Sequence, residues 1–136
     1  MCGIVGICNF FNKPNTEMVK LMNKALHHRG PDDEGYFNNE TISFGHKRLS
    51  ILDIENSRQP MVDKTNGNTL IYNGEIYNFE KIKLELKNLG YVFETNGDTE
   101  VILKAYDHWG ADCLNKFEGM FAFAIWDNKK KTFIYC

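Results

Sequence analysis

The seven residues at 120–126, Met-Phe-Ala-Phe-Ala-Ile-Trp, contain no charged side chain and no polar one beyond the indole of Trp126. A run this apolar belongs in an interior, and its aromatic content and length suit a core strand. The polar, basic stretch 127–131 follows, then a second apolar stretch at 132–136. Together they predict a hairpin. A hairpin with so much apolar surface needs other strands beside it and helices over it.

The rest of the chain supplies both. GIVGIC at 3–8 is a short apolar run suited to a strand buried on both faces. Residues 41–46 and 49–52 read as strands with a polar link, and 69–72 as another strand ending at Asn73-Gly74, a strong turn signal. Pro14 and Asn15 break the chain before a helix from Thr16. Its apolar stripe is Met18, Leu21, Met22, Ala25 and Leu26, and Arg29-Gly30-Pro31 stops it. A second helix is expected over 79–89, with Ile82, Leu86 and Leu89 on one face and Gly90 closing it. A third starts after Gly97, where Asp98 or Thr99 suits the cap, and buries Val101, Ile102, Ala105, Tyr106 and Trp109. Strands grouped in antiparallel fashion under helices, without repeats or linkers, make one α+β domain.

At 136 residues the chain is long enough to bury a real core. Its net charge of −2 gives no electrostatic case for nucleic acid or an anionic membrane. No apolar run is as long as a membrane-spanning helix, and the N-terminus lacks the pattern of a signal peptide, so the cytoplasm is the expected location. None of the four cysteines, Cys2, Cys8, Cys113 and Cys136, is spaced as a zinc or thioredoxin-like pair. Cys8, Cys113 and Cys136 read as small apolar core residues.

Cys2 is different because of its position. Small second residues favour removal of Met1, which places a thiol and a free α-amine on one residue. The thiol has an ordinary pKa of about 8.5 and the amine about 7.7–8.0, so the amine is a mild base near neutral pH. It can take the thiol proton as the sulfur attacks an acyl carbon, an arrangement that needs no histidine triad. His27, His28, His46 and His108 accordingly read as surface or structural residues.

Six segments extend this reading: MCGIVGI at the start, HHRGPDDEG at 27–35, GHKRLSILD at 45–53, YNGEIYN at 72–78, NGDTEVI at 96–102 and FEGMFAFAIWD at 117–127. In this order and at these intervals they resemble the glutaminase domain of the class II amidotransferases, in the asparagine synthetase group of the N-terminal-nucleophile hydrolases. The resemblance covers nearly the whole chain. It implies a four-layer αββα sandwich, two antiparallel sheets between layers of helices. It implies that Cys2 is the nucleophile and that Arg48 holds the glutamine α-carboxylate, for which a guanidinium fork is well shaped. Leu49 and Ile51 would line the same pocket, and Asn73 and Gly74 would form the oxyanion hole. Glu75 would be a polar wall, Asp98 the partner of the α-ammonium, and Arg29 a neighbour of the nucleophile.

Each residue also has a plainer reading. Arg48 suits an edge-strand cation, Asn73-Gly74 a hairpin turn, and Asp98 a helix cap. The family's last strand normally runs on past the position of Cys136 into RDRxGxxPLYY and further strands. The resemblance therefore implies a glutaminase domain over 1–136 that is incomplete at its C-terminus, with the synthetase domain and its SGGxDS-type ATP loop absent. No cofactor is expected in this domain, ATP and magnesium belonging to the synthetase domain. Glutamine is the expected substrate and a synthetase domain of the same parent chain the expected partner; the oligomeric state, a homodimer or another, stays open. The alternatives are a glutaminase serving another acceptor (amino sugars, purine precursors or cell-surface sugars), a non-catalytic binding domain of the same fold, and a cysteine-based redox or metal module.

Overall fold

The computed structural model describes residues 2–49 and 58–136. The elements run β1 (Gly3–Cys8), α1 (Thr16–Ala25), β2 (Asp33–Asn38), β3 (Ile42–Arg48), β4 (Met61–Val62), β5 (Thr69–Ile76), α2 (Phe79–Asn88), α3 (Asp98–Trp109), a 3-10 segment (Gly110–Lys116), β6 (Gly119–Asp127) and β7 (Thr132–Tyr135). They form a three-stranded sheet of order β1-β3-β2 and a four-stranded sheet of order β4-β5-β6-β7. Every pairing in both is antiparallel.

Side chains alternate across a strand, so each sheet has two distinct faces. Ile42 and Phe44 of β3 pack with Ile71 of β5 and Trp126 of β6, which puts the two sheets face to face. The opposite face of β3 turns to α1: a Cβ on Gly45 would lie 3.2 Å from Asn23. The opposite face of β5 carries Leu70, Tyr72 and Ile76 into a second core with Ile82 and Leu86 of α2 and Val101, Ile102 and Ala105 of α3. The order α1, first sheet, second sheet, α2 with α3 is the expected αββα sandwich. The hairpin of β6 and β7 also forms as expected, and Asp127 pins its turn by accepting from the backbone N–H groups of Lys129 and Lys130.

Several local expectations are corrected by the packing. β1 is not buried on both faces. It is a sheet edge with Gly6 exposed, and the strand enclosed on all sides is β3, every residue of which is buried. α1 turns Val19 and Asn23 inward, leaving Met18 and Leu21 exposed. The Asn23 amide donates to the His46 carbonyl at 3.3 Å, so a polar residue sits where the apolar stripe was expected. β2 has little pattern to find, because it is an edge whose Phe37 alone joins the inter-sheet core. Leu89 is exposed just beyond α2, Cys8 is half-buried and Cys136 exposed, while Cys113 alone of those three cysteines is in the core. The strand expected over 49–52 falls mostly outside the described residues, and Leu49 lies beyond the end of β3.

The largest correction concerns Asn73-Gly74. It is no turn: β5 runs through it, with Asn73 opposite Ala122 and Gly74 opposite Phe121. Gly74 has φ +149°, and a Cβ there would lie 2.3 Å from the Met120 carbonyl oxygen and 2.5 Å from the Phe121 Cα. The two strands approach this closely only because the residue is glycine.

The core assignment of α2 gives a direct test. Leu86 is fully buried and Leu84, two residues earlier, is exposed. Leu86→Ala should lower unfolding free energy by about 2–5 kcal/mol in urea titrations, and Leu84→Ala by less than about 0.5 kcal/mol.

Candidate active site

The register brings the N-terminus to the end of β3. Gly3 pairs with Lys47, and the register continued by one residue sets Cys2 level with Arg48. The Cys2 thiol is directed at the Leu49 carbonyl, with Sγ 3.9 Å from the oxygen. Paired residues of an antiparallel ladder share a face. Arg48 also shares the face of Ile42, Phe44 and His46, which looks onto the second sheet. On β5, Asn73 shares the face of Ile71, which looks back at the first sheet. β1 and β3 both lie against β5. Cys2, Arg48 and Asn73 therefore occupy the same inter-sheet layer, beyond its apolar part.

The loop after α1 closes against this end. A Cβ on Gly30 would lie 2.5 Å from the Lys47 carbonyl, and the Asp32 N–H donates to the Arg48 carbonyl at 3.0 Å. Arg29 is thereby set beside the start of β1, its Cβ 3.5 Å from where a Cβ on Gly3 would stand. Arg48 is 6% exposed, which does not fit a solvated edge-strand cation. The side-chain oxygen of Asn73 is buried with no hydrogen-bond partner among the described residues. A buried amide with unused capacity is costly in a fold that binds nothing there, and is usual where a ligand or water completes it.

Asp98 is the first residue of α3, and the cap position is held by Gly97, which has no side chain to bond with. The Asp98 carboxylate turns to β5. Its Oδ2 accepts from the Tyr72 hydroxyl at 2.5 Å and from the Ile76 N–H at 3.1 Å. Glu75 lies between them in sequence and is exposed. Gly74, Glu75 and Asp98 are thus gathered at one end of β5, while Leu49 stays with Cys2 and Arg48. Ile51 lies outside the described residues.

Two residues here gave no signal as anything but strand positions. His46 is almost fully buried and lies on the face of β3 that looks onto the second sheet. Burial lowers its pKa to about 4, with the Tyr72 backbone opposing the shift and the Arg48 charge adding to it. The imidazole is therefore neutral at pH 7, and its Nε2 has no partner among the described residues. Tyr72 is buried on the helix side of β5, and burial first, then the bond to Asp98, push its hydroxyl pKa well above the ordinary tyrosine value. It stays a neutral donor at any physiological pH.

A cavity of about 460 Å³ lies elsewhere, between β4 and α3, lined by Met61, Asp63, Lys64, Glu94, Glu100 and Lys104 among others. It contains none of these site residues, and its floor is an ion pair in which Lys104 meets Asp63 at 2.9 Å. The described residues contain no cluster of three or more acidic, histidine or cysteine side chains able to hold a metal, and no helix long and apolar enough to cross a membrane.

Solved structures with this fold include a glutamine phosphoribosylpyrophosphate amidotransferase from Bacillus subtilis, with a TM-score of 0.69 at 19% identity over 94% of this chain and 35% of that one. A structure titled the allosteric regulatory enzyme of purine biosynthesis gives a TM-score of 0.76 at 22% identity, over 92% of this chain and 35% of that one. At these identities they define the architecture, a sandwich of the amidotransferase type. The family profile described as "Glutamine amidotransferase domain" matches residues 1–136, and the chain belongs to that family. Among its relatives, asparagine synthetase [glutamine-hydrolyzing] 1 of Bacillus subtilis is 45% identical over 99% of this chain and 22% of its own length. Asparagine synthetase B [glutamine-hydrolyzing] of Escherichia coli is 36% identical over 98% and 24%. The chain thus spans less than a quarter of each of these relatives.

The buried neutral imidazole fixes a pH dependence. Its pKa is 6.5 unfolded and about 4 folded, so the unfolded chain takes up this proton first as pH falls. The stability it contributes is complete above pH 6.5 and is lost as pH drops from 6.5 through 4, by roughly 3 kcal/mol. Urea midpoints measured between pH 7 and pH 4 should fall for the wild type, and His46→Gln should flatten the part of the curve between 6.5 and 4.

Proposed function

We propose that this domain hydrolyses the side-chain amide of glutamine with Cys2, freed of Met1, as the nucleophile. The observation that carries the reading is that Cys2, entering β1 beside the end of β3, and Asn73, on the facing strand of the second sheet, share one inter-sheet layer with Arg48.

Arg48 would take the substrate α-carboxylate and Asp98 its α-ammonium, leaving the side-chain amide at Cys2. Leu49 and Ile51 would border the pocket on the Arg48 side, and Glu75 on the Asp98 side. The thiol gives its proton to the α-amine as sulfur bonds to the amide carbon. The Asn73 side chain and the Gly74 N–H stabilise the oxygen that becomes negative, where preorganised donors are most effective. The α-amine returns the proton to the departing nitrogen, and ammonia leaves a γ-glutamyl thioester. Water then adds to that carbon, giving a proton to the same amine. The thioester collapses to glutamate and the restored thiol. The domain itself uses no metal or cofactor in this scheme.

The ammonia would serve asparagine formation, because relatives 36–45% identical over almost the whole chain are named as glutamine-hydrolysing asparagine synthetases. ATP and magnesium would be needed by that synthetase activity, a cytoplasmic ligase, and not by the glutaminase.

Cys2→Ala should reduce glutamate release from glutamine by at least roughly 10³-fold while leaving thermal unfolding unchanged. Intact mass should show a diazo-ketone analogue of glutamine attached to Cys2 of the Met1-free protein, and free glutamine should block the label. Wild-type glutamate release by the alanine variant would overturn the mechanism.

A further inference from the structure

We propose that Tyr72 is a positioning residue for amino-acid recognition: its buried hydroxyl holds the Asp98 carboxylate toward the α-ammonium of the substrate. The inference rests on the reading of Asp98 given above and adds a residue to which that reading assigns no part.

Three observations converge on it. First, Asp98 starts a helix, where an acidic side chain ordinarily folds back onto the helix's own free N–H groups or onto solvent. Here it lies one position inside the Gly97 cap, and its carboxylate bonds across to β5. Second, the partner that draws it is only 3% exposed and makes a 2.5 Å bond, so neither its position nor its donor is free to wander. Third, both bonds fall on Oδ2, one from the Tyr72 hydroxyl and one from the Ile76 N–H, and none from the described residues falls on Oδ1. One oxygen is anchored and the other is left for a ligand.

The chemistry of the anchor matters as much as its place. A lysine or arginine at position 72 would hold the carboxylate equally well, but its charge would cancel the attraction that the α-ammonium needs. A phenol fixes the carboxylate and leaves its full negative charge. The geometry also joins the two ends of the substrate through one strand. Tyr72 and Asn73 are neighbours on β5 and point to opposite faces. The segment that presents the Asn73 amide to the scissile group therefore also sets, through Tyr72, the carboxylate at the far end of the substrate.

The test compares wild type and Tyr72→Phe in hydrolysis of glutamine and of 4-carbamoylbutanoate, which is glutamine without its α-amino group. The expected result is a loss of roughly tenfold in kcat/KM for glutamine, carried by KM, with kcat within about twofold. For the des-amino substrate kcat/KM should not change. A second measurement needs no turnover: glutamate should raise the melting temperature of the wild type more than glutarate does, and the variant should lose that difference. Equal losses on both substrates, no loss on either, or a variant that no longer melts cooperatively would assign the hydroxyl to the fold and overturn the proposal. If the wild type itself treats the two substrates alike, the reading of Asp98 falls first. Absence of glutamine hydrolysis by the wild type would remove the glutaminase reading as a whole.

Discussion

The contact between the two sheets is the constraint on which the rest depends. Ile42 and Phe44 meet Ile71 and Trp126, and the half-buried Ile4, Cys8, Phe37, Ala124 and Phe133 complete the layer. Aromatic and branched side chains of this size set the spacing of face-packed sheets at roughly 10 Å. That spacing is filled where the layer is apolar. Where the same faces become polar, at Cys2, His46 and Arg48 on one side and Asn73 on the other, the facing strands are already held at a fixed separation. The apolar part of the layer acts as the ruler for the polar part, and its alternation decides which residues share the space.

The polar end is expensive to maintain, and the structure shows where the cost is met. His46 is kept neutral by burial. Lys47, on the other face of β3, pairs with Glu34 of β2, and this partner holds the Glu34 carboxyl below its ordinary pKa. The Asn23 amide satisfies the His46 carbonyl from α1. The groups left without partners among the described residues include His46 Nε2 and Asn73 Oδ1, both on the inter-sheet side. Unpaired buried acceptors lower stability. A fold tolerates them at a site that gains a partner when it binds, as expected where rigidity is spent on function.

β5 is the element that unites the site. Its register against β6 runs unbroken through Asn73 and Gly74, and glycine permits the close approach that keeps it straight there. One face of the strand then offers Asn73 to the space beside Cys2. The other face sends Tyr72 to Asp98, and the strand's last N–H, at Ile76, joins the same carboxylate. A ligand reaching from Cys2 to Asp98 would be gripped along a single strand, so the distance between its two ends would not vary with movements of loops.

The sequence by itself determined the elements with strong period or punctuation. The helix stripe from Val101 to Tyr106, the hairpin around Asp127 and the stop at Gly90 depend on local spacing, and local spacing survives folding. It also placed the site residues on segments, through the resemblance of six motifs in order. Three things were left to the tertiary structure. Asn73-Gly74 obeys a hairpin rule locally, yet pairing with Phe121 and Ala122 over a full ladder outweighs the preference of two residues. Asp98 suits a cap locally, yet a buried phenol and a strand N–H offer its carboxylate better partners. His46 reads equally as a surface or a structural residue, and Asn23 lies off the apolar stripe of its helix. Burial depends on what lies opposite, and no window of neighbouring residues reports that. Which side chains share a space is a property of two sheets and their register, and only the folded chain brings those together.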